Sequence, residues 1–285
     1  VNMNELYSLY KSCFSGADIA AEDVFEDVLQ RNKQANVITE TNQSGSLIGA
    51  AITVKDVIAA IFVDKNSRGN GIGSKLLDKA EEHIRQQGNK TAVLGGMVIY
   101  QGAPIAGDNI SFFEKRGYQG EEITVNMAAK LADFDASKLD IYPAPDYIRF
   151  RYEKPEEHEK LLKAIESVEP NWVQYFSKPS PKSRIKTLIA EDIRNGAIAG
   201  FVTTEPNAAT FEHDGLITGS MGCVGVVPEY RRLGIGLRMV ADGMQKLKEQ
   251  GDQAVELTYI VLTDWYSRLG LKICSRQWMA KKKLI

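Results

Sequence analysis

The chain carries one stretch of itself twice. Val63 to Gly73 reads V-D-K-N-S-R-G-N-G-I-G, and Val226 to Gly236 reads V-V-P-E-Y-R-R-L-G-I-G. A shift of 163 residues lays Val63, Arg68, Gly71, Ile72 and Gly73 on Val226, Arg231, Gly234, Ile235 and Gly236, and Gln87-Gly88 on Gln250-Gly251. The apolar stripe Ile72, Leu76, Leu77, Ala80, Ile84 falls on Ile235, Met239, Val240, Gly243, Leu247, both at helical spacing. A loop, a helix face and a closing glycine kept together mark an internal duplication, so the chain must fold as two copies of one unit.

Each copy reads as a strand end, a tight glycine loop and a helix start. In the second, the apolar run Val224, Val226, Val227 stops at Pro228, which has no N–H for a central ladder. Gly234 and Gly236 leave their backbone N–H groups unshielded by a Cβ. The first N–H groups of a helix lack internal partners and sit at the positive end of its dipole. With Arg231 and Arg232 added, such a loop can hold a pyrophosphate; taken singly, it reads equally as a structural turn. It is not a Walker loop, since no Gly-Lys-Ser/Thr follows, and the second copy does not complete G-x-G-x-x-G.

A length of 285 residues with 44% hydrophobic content suffices for two cores of about 100–150 residues each. We place the domains at 1–140 and 147–285, with a linker over Leu131–Asp146, which holds Pro143 and Pro145. Lys and Arg number 35 against 37 Asp and Glu, so no global field draws the chain to nucleic acid or to a membrane. Cys13, Cys223 and Cys274 show neither metal-ligand spacing nor an even framework, so no metal is expected and a reducing, cytoplasmic compartment is. No stretch approaches the roughly 20 apolar residues of a membrane span, and the start does not read as a signal peptide. A soluble monomer or homodimer is the expectation.

In order, the pattern predicts helices over Met3–Phe14 and Ala21–Gln30, strands over Val37–Glu40, Leu47–Val54 and Val57–Val63, and a helix over Gly71–Gln87. A strand at Ala92–Leu94, the irregular stretch Gly95–Gly107, a short helix Asn109–Arg116 and a strand Ile123–Ala129 close the first half. The second half begins with a strand, Tyr147–Tyr152, for which the first half has no counterpart. A helix over Pro155–Val168, the aromatic cluster Trp172, Tyr175 and Phe176, and partly helical Ser183–Ile193 come next. Strands at Ala197–Thr204 and Ile217–Val226, the repeated loop and helix, a strand Val255–Ile260, a short helix Asp264–Arg268 and a strand Lys272–Met279 complete it. This is an α/β (α+β mixed) layout.

The repeated R-x-x-G-x-G, with a valine five residues before the arginine, resembles the acyl-CoA-binding signature of the GNAT superfamily of N-acyltransferases. So does the short helix ending in F-F-E-K-R-G-Y (Phe112–Tyr118) and again in W-Y-S-R-L-G-L (Trp265–Leu271). Two tandem copies are similar to the arrangement in mycothiol synthase and its relatives. The resemblance implies two tandem domains, each a mixed, mostly antiparallel sheet flanked by helices. It implies that acetyl-CoA lays its pyrophosphate on Arg231, Arg232, Gly234, Ile235 and Gly236, with the pantetheine arm along Val224–Val226. A backbone N–H at the strand end would stabilise the oxyanion.

The resemblance further implies direct attack by a small-molecule or peptide amine in a ternary complex. Tyr266, four residues before Gly270, would protonate the leaving thiolate, its ordinary pKa near 10 making a small mismatch. In the first copy the same place holds Phe113, and Tyr100 or Tyr118 would serve only if Gly95–Gly107 bent one into reach. Val63, Arg68, Gly69, Gly71 and Gly73 keep the first loop intact, so the first half could bind CoA yet be slow or inactive, and whether it binds stays open here. Glu256, Glu205, Asp264 and His213 are candidate bases, each more often a solvated residue, and an amine can also lose its proton to water. Substrate walls are expected at Asn171–Ser177 and Phe211–Gly215. Two other readings remain open: a CoA-sensing or interaction protein with lapsed chemistry, and a nucleotide-binding enzyme, which lacks a Walker Lys-Ser/Thr.

Overall fold

The computed structural model describes residues 2–97, 99–105, 107–177 and 184–284. The elements, in chain order, begin with helices α1 (Met3–Cys13) and α2 (Glu22–Arg31) and strands β1 (Ala35–Thr41), β2 (Leu47–Val54) and β3 (Val57–Val63). Helix α3 (Ile72–Gln86), β4 (Thr91–Leu94), the two-residue β5 (Ala103–Pro104), α4 (Asn109–Glu114) and β6 (Gln119–Lys130) follow. After the linker come β7 (Ile148–Tyr152), α5 (His158–Val168), α6 (Val173–Ser177), β8 (Lys186–Asp192), β9 (Ala197–Glu205) and β10 (Thr218–Val226). Helix α7 (Ile235–Glu249), β11 (Ala254–Leu257), α8 (Thr263–Ser267) and β12 (Lys272–Lys283) end the chain.

The duplicated helices show why the repeat folds twice alike. Helix α3 buries Leu76, Leu77, Ala80 and Ile84, and α7 buries Ile235, Met239, Val240, Gly243 and Leu247. Each then stops at the glycine one past its C-cap, Gly88 (φ 84°) and Gly251 (φ 100°), where an L side chain would be strained. Pairs β3–β4 and β10–β11 are parallel, while β1–β2, β2–β3, β7–β8, β8–β9 and β9–β10 are antiparallel. The sheets are therefore mixed and mostly antiparallel, as expected.

Two compact units result: Val1–Val125 with Thr210–Asp214 and Cys274–Ile285, and Asn126–Ala209 with Gly215–Ile273. They depart from the contiguous halves 1–140 and 147–285 at the closing strands. In the first unit the strand order is β1-β2-β3-β4-β12-β6, so the chain's last strand is inserted beside β4, Ala280 facing Leu94 and Lys283 facing Thr91. In the second the order is β6-β11-β10-β9-β8-β7, with Met127–Lys130 of β6 facing Leu257–Ala254. Both β6 and β12 are 12 residues long, about 40 Å of strand at some 3.3 Å per residue, whereas β4 and β11 have only 4 residues each. One strand can therefore serve both units.

The segment expected to be partly helical, Ser183–Ile193, is instead strand β8 over Lys186–Asp192, with Ser183 outside the described residues. Thr187, Leu188, Ile189 and Ala190 are all buried between β7 and β9, and a run buried on both faces loses the alternation by which a strand is recognised. The aromatic cluster divides. Trp172 and Phe176 pack edge-on to Phe201 in the core of the second unit, and Tyr175 is exposed.

Candidate active site

In each repeat the central strand parts from its parallel neighbour. Strand β10 is in register with β11 only over Thr218–Met221, and β3 with β4 only at Val57 and Ile58. A bulge sits near each parting point. Three steps along β10, from Gly222 to Gly225, match two along β9, with Cys223 at φ 48°, and β3 shifts register against β2 between Ile52 and Thr53. Val224 and Val226 thus lie where β10 keeps β9 on one side and has left β11 on the other.

The loops then turn alike. Gly71 (φ 75°, ψ 0°) and Gly234 (φ 75°, ψ −4°) are left-handed N-caps of 15-residue helices, and neither cap supplies a side-chain acceptor to the first N–H groups. An anion at either place meets unsatisfied donors and the helix dipole. The signature arginines have a further duty. Arg68 Nε donates to Val63 O at 3.0 Å and Arg231 Nε to Val226 O at 3.1 Å, which explains the five-residue spacing from valine to arginine. The side chain staples the loop to its own strand end, and Arg68 also reaches Cys13 O through Nη2 at 3.5 Å. Arg232 stands at φ 65° where the first repeat has Gly69 at φ 80°, so the second loop holds a left-handed arginine.

An aromatic ring seals each helix start from behind. A Cβ on Gly73 would lie 3.4 Å from the Phe112 ring, and one on Gly236 would lie 3.2 Å from Trp265. Gly73, Ile235 and Gly236 are therefore packing positions at the first helical turn. In the first unit Arg116 stacks on Phe112, 3.9 Å from its centroid, donates to Phe112 O at 2.7 Å and reaches Ser74 Oγ in the first turn of α3. This cation was not singled out from the sequence; a basic residue directly before the helix-ending Gly117 is the only hint.

Tyr266 stands on α8 beside Trp265, ring centroids 4.7 Å apart and nearly perpendicular. It is 8% exposed and burial pushes its hydroxyl up to about 12, above the value near 10 expected from sequence. The Tyr266 hydroxyl makes no hydrogen bond to the described residues. In the first unit Phe113 occupies the corresponding place, 3% exposed. Tyr118 does not replace it, since its ring faces Lys282 and its hydroxyl is buried beside Glu81 of α3. Tyr100 is buried beside Phe14 and Tyr10, and burial raises its pKa far above normal.

The two loops differ in what covers them. Around Gly69 and Gly71 a Cβ would meet nothing within 4 Å. At Gly234 it would lie 2.7 Å from Pro143 O, 2.9 Å from Tyr142 Cδ1 and 3.0 Å from Tyr142 O. The linker is held along α7 to reach this point: Lys248 Nζ donates to Ala132 O and Phe134 O, Gln245 Oε1 accepts from Ala136 N, and Arg238 Nη1 donates to Ala136 O. It forms a strap that ends on the Gly234 turn.

The candidate bases scatter. Glu205 accepts from Arg184 N at 2.8 Å, Glu256 is buried on β11, and Asp264 lies in the first turn of α8. His213 and Phe211 fall in the first unit, where Ala20 bridges Phe211 and Glu212 N donates to Ile19 O. The Phe211–Gly215 loop, expected as a wall of the second half, thus braces the loop after α1 of the first. Burial pushes the Cys223 thiol up to about 11 and raises Cys13 as well, which disfavours a thiolate at either. Among the described residues no cluster of three or more His, Cys, Asp or Glu could hold a metal ion, and no helix is long and apolar enough to cross a membrane.

Two strand-loop-helix turns, each beside a parted pair of parallel strands, make a tandem fold of one repeated unit. The model of the acetyltransferase (GNAT) family matches residues 3–118 and again 147–270, and the chain belongs to that family. Among solved structures it is similar to a GCN5-related glucosamine N-acetyltransferase region of a fungal multi-domain GH3 beta-N-acetylglucosaminidase. That likeness has 22% identity and a TM-score of 0.76 over 98% of this chain, and this chain spans 37% of the fungal protein. A GCN5-related N-acetyltransferase from Sphaerobacter thermophilus shares 18% identity at a TM-score of 0.71, over 98% of this chain and 91% of its own. A tandem GNAT protein from the clavulanic acid biosynthesis pathway shares 12% at 0.71, over 99% and 94%. No curated protein matches the sequence.

Proposed function

We propose that this chain is an acyl-CoA-dependent N-acyltransferase that moves an acetyl group from acetyl-CoA to an amine within a ternary complex. The observation that carries the reading is the parting of β10 from β11 beside an uncapped helix start, with a phenol on α8 that makes no hydrogen bond to the described residues. The N–H groups of Arg232–Gly236 bind the diphosphate, and the β10 edge at Val224–Val226 pairs with the pantetheine. A neutral amine attacks the thioester carbonyl, the C–N bond forms and the C–S bond breaks. Tyr266 gives its proton to the departing sulfur, and the proton shed by nitrogen returns to the tyrosinate through solvent. Burial that disfavours the tyrosinate also disfavours the free thiolate, so the transfer stays matched.

The covered Gly234 and the open Gly71 support a second reading, in which the first repeat is the one that holds CoA and, with Phe113 in place of a tyrosine, binds without transferring. Calorimetric titration of acetyl-CoA into the parent, Gly71→Asp and Gly234→Asp separates the two. Loss of heat only in Gly234→Asp supports transfer in the second repeat; loss only in Gly71→Asp supports a binding first repeat. No heat in the parent overturns both. Glucosamine, the amine named for the fungal neighbour, is the first acceptor for a thiol-release assay.

A further inference from the structure

The second repeat fastens its loop at a point where the first repeat has no counterpart. Tyr230 closes the 3-10 turn Pro228–Tyr230 that leads into Arg231, and its Oη donates to Asp192 Oδ2 at 3.0 Å. Asp192 is the last residue of β8, is in register with Ile148 of β7 and Ala197 of β9, and is fully buried. The acceptor therefore belongs to the sheet and not to the loop.

Other bonds immobilise this carboxylate as well. Arg194 Nε and Arg194 N donate to Oδ1, both at 3.0 Å, and Arg194 Nη2 donates to Oδ2 at 2.8 Å. The guanidinium in turn stacks on Tyr147, 3.4 Å from the ring centroid. Gly196 N donates to Asp192 O at 2.8 Å and Ile193 N to Tyr147 O at 2.9 Å, which closes the turn from β8 to β9. The Arg194 guanidinium holds the Asp192 carboxyl down to about 2, so Tyr230 meets a charged acceptor throughout the neutral range.

What the anchor holds is a strained turn. Just past Tyr230, Arg232 stands at φ 65°, a left-handed conformation that an L side chain adopts at a cost and keeps only where its surroundings over-determine it. Two ties lie directly before it: Tyr230 to Asp192, and Arg231 Nε to Val226 O at 3.1 Å. The first repeat needs less. Gly69 takes the place of Arg232 and is free to adopt φ 80°, and Ser67 takes the place of Tyr230. Its 3-10 turn is capped locally, Asp64 Oδ1 accepting from Asn66 N at 2.9 Å. Val227 stands where Asp64 does, and no side chain caps the second turn. The strained residue and the distant anchor thus occur together in one loop and are replaced together in the other. Strain kept in this way marks a loop held ready for a ligand.

We propose that Asp192, acting through the Tyr230 hydroxyl, is the positioning residue of the second loop and fixes the turn that presents the N–H groups of Arg232–Gly236. The role rests on the acyl-CoA reading for its ligand, but not for the ordering of the loop. The test takes the full chain, labelled with nitrogen-15, as parent, Tyr230→Phe, Asp192→Asn and the double variant. Backbone order parameters are measured without ligand, and acetyl-CoA is then titrated calorimetrically into each in the Gly71→Asp background, where the first loop is blocked. Tyr230→Phe removes one oxygen and keeps the ring. It is expected to lower the order parameters of Arg231, Arg232 and Leu233 from the rigid range near about 0.85 towards about 0.6, with α7 and the first loop at parent values. The acetyl-CoA Kd should rise about tenfold, as for loss of one hydrogen bond to a charged acceptor. Asp192→Asn should loosen the loop at least as much, and the double variant should add nothing to it, as holds when one residue acts through another. Should Asp192→Asn not fold, Tyr230→Phe decides alone. Unchanged order parameters in Tyr230→Phe, additive losses in the double variant, or a loosened loop that binds acetyl-CoA as tightly as the parent loop would overturn the proposal. Absence of binding before Tyr230 is changed overturns the acyl-CoA reading instead, and the ligand-free order parameters then decide the positioning role.

Discussion

Gly71 and Gly234 offer an internally controlled measurement of the strap. Both have φ 75° and ψ within a few degrees of zero, and both precede a 15-residue helix. Alanine at either position incurs the left-handed penalty of about 1–2 kcal/mol. At Gly71 that is the whole cost, since a Cβ there meets nothing within 4 Å. At Gly234 the new methyl enters space already held by Pro143 O at 2.7 Å, Tyr142 Cδ1 at 2.9 Å and Tyr142 O at 3.0 Å. Overpacking of this kind adds about 1–3 kcal/mol. Gly234→Ala should therefore cost about twice as much as Gly71→Ala, or leave the strap displaced. Urea unfolding followed by tryptophan fluorescence resolves the units, because Trp172 and Trp265 lie in the second and Trp278 in the first. Tyr142→Ala in the Gly234→Ala background should recover only part of the loss, since two of the three close atoms are backbone carbonyls. Equal losses at the two glycines would refute the strap contact.

Four further outcomes are expected. Tyr266→Phe should lower kcat by about 10²–10⁴-fold with little change in acetyl-CoA affinity, and a kcat within a factor of two of the parent would remove the tyrosine from the mechanism. The Tyr266 hydroxyl is raised to about 12, so its contribution to stability is complete below pH 10 and is lost as pH rises through 12; thermal melts of Tyr266→Phe should show a flatter alkaline limb than the parent. Arg151 bonds Glu157 at 2.6 Å and Glu191 at 2.9 Å and holds both carboxyls down to about 2, so their stabilisation is present above pH 4.5 and lost as pH falls towards 2. Arg151→Met should cost about 3 kcal/mol at pH 7 and progressively less in acid, and a penalty independent of pH would contradict the pairing. Ending the chain at Ile273 removes the strand that lies beside β4, and the fluorescence-independent melt of the first unit, followed by hydrogen exchange of β4 and β6 amides, should lose cooperativity while α7 stays protected.

The sequence by itself determined the duplicated unit and the turn at its centre. Local chemistry fixes those features: a glycine where φ must be positive, an arginine five residues after the valine whose carbonyl it binds, and an apolar stripe at helical spacing. Strand β8 escaped because burial on both faces erased its period. Other features depended on pairings that no local pattern records. The exchange of β6 and β12 follows from which strand fills the gap beside a four-residue neighbour, a choice between two similar edges in a duplicated chain. Linker residues Tyr142 and Pro143 carry no sign of ending on Gly234, since the bonds that bring them there run to the linker's own carbonyls from side-chain donors, Arg238 and Lys248, more than 100 residues away in the chain. Asp18 and Gln277 are 259 residues apart, and only the inserted last strand brings the side-chain donors of Ser275 and Gln277 to the carboxylate of a turn residue. Spacing along the chain reports contacts within a turn or a helix; tertiary structure decides which distant donors a buried acceptor finds, and which it lacks.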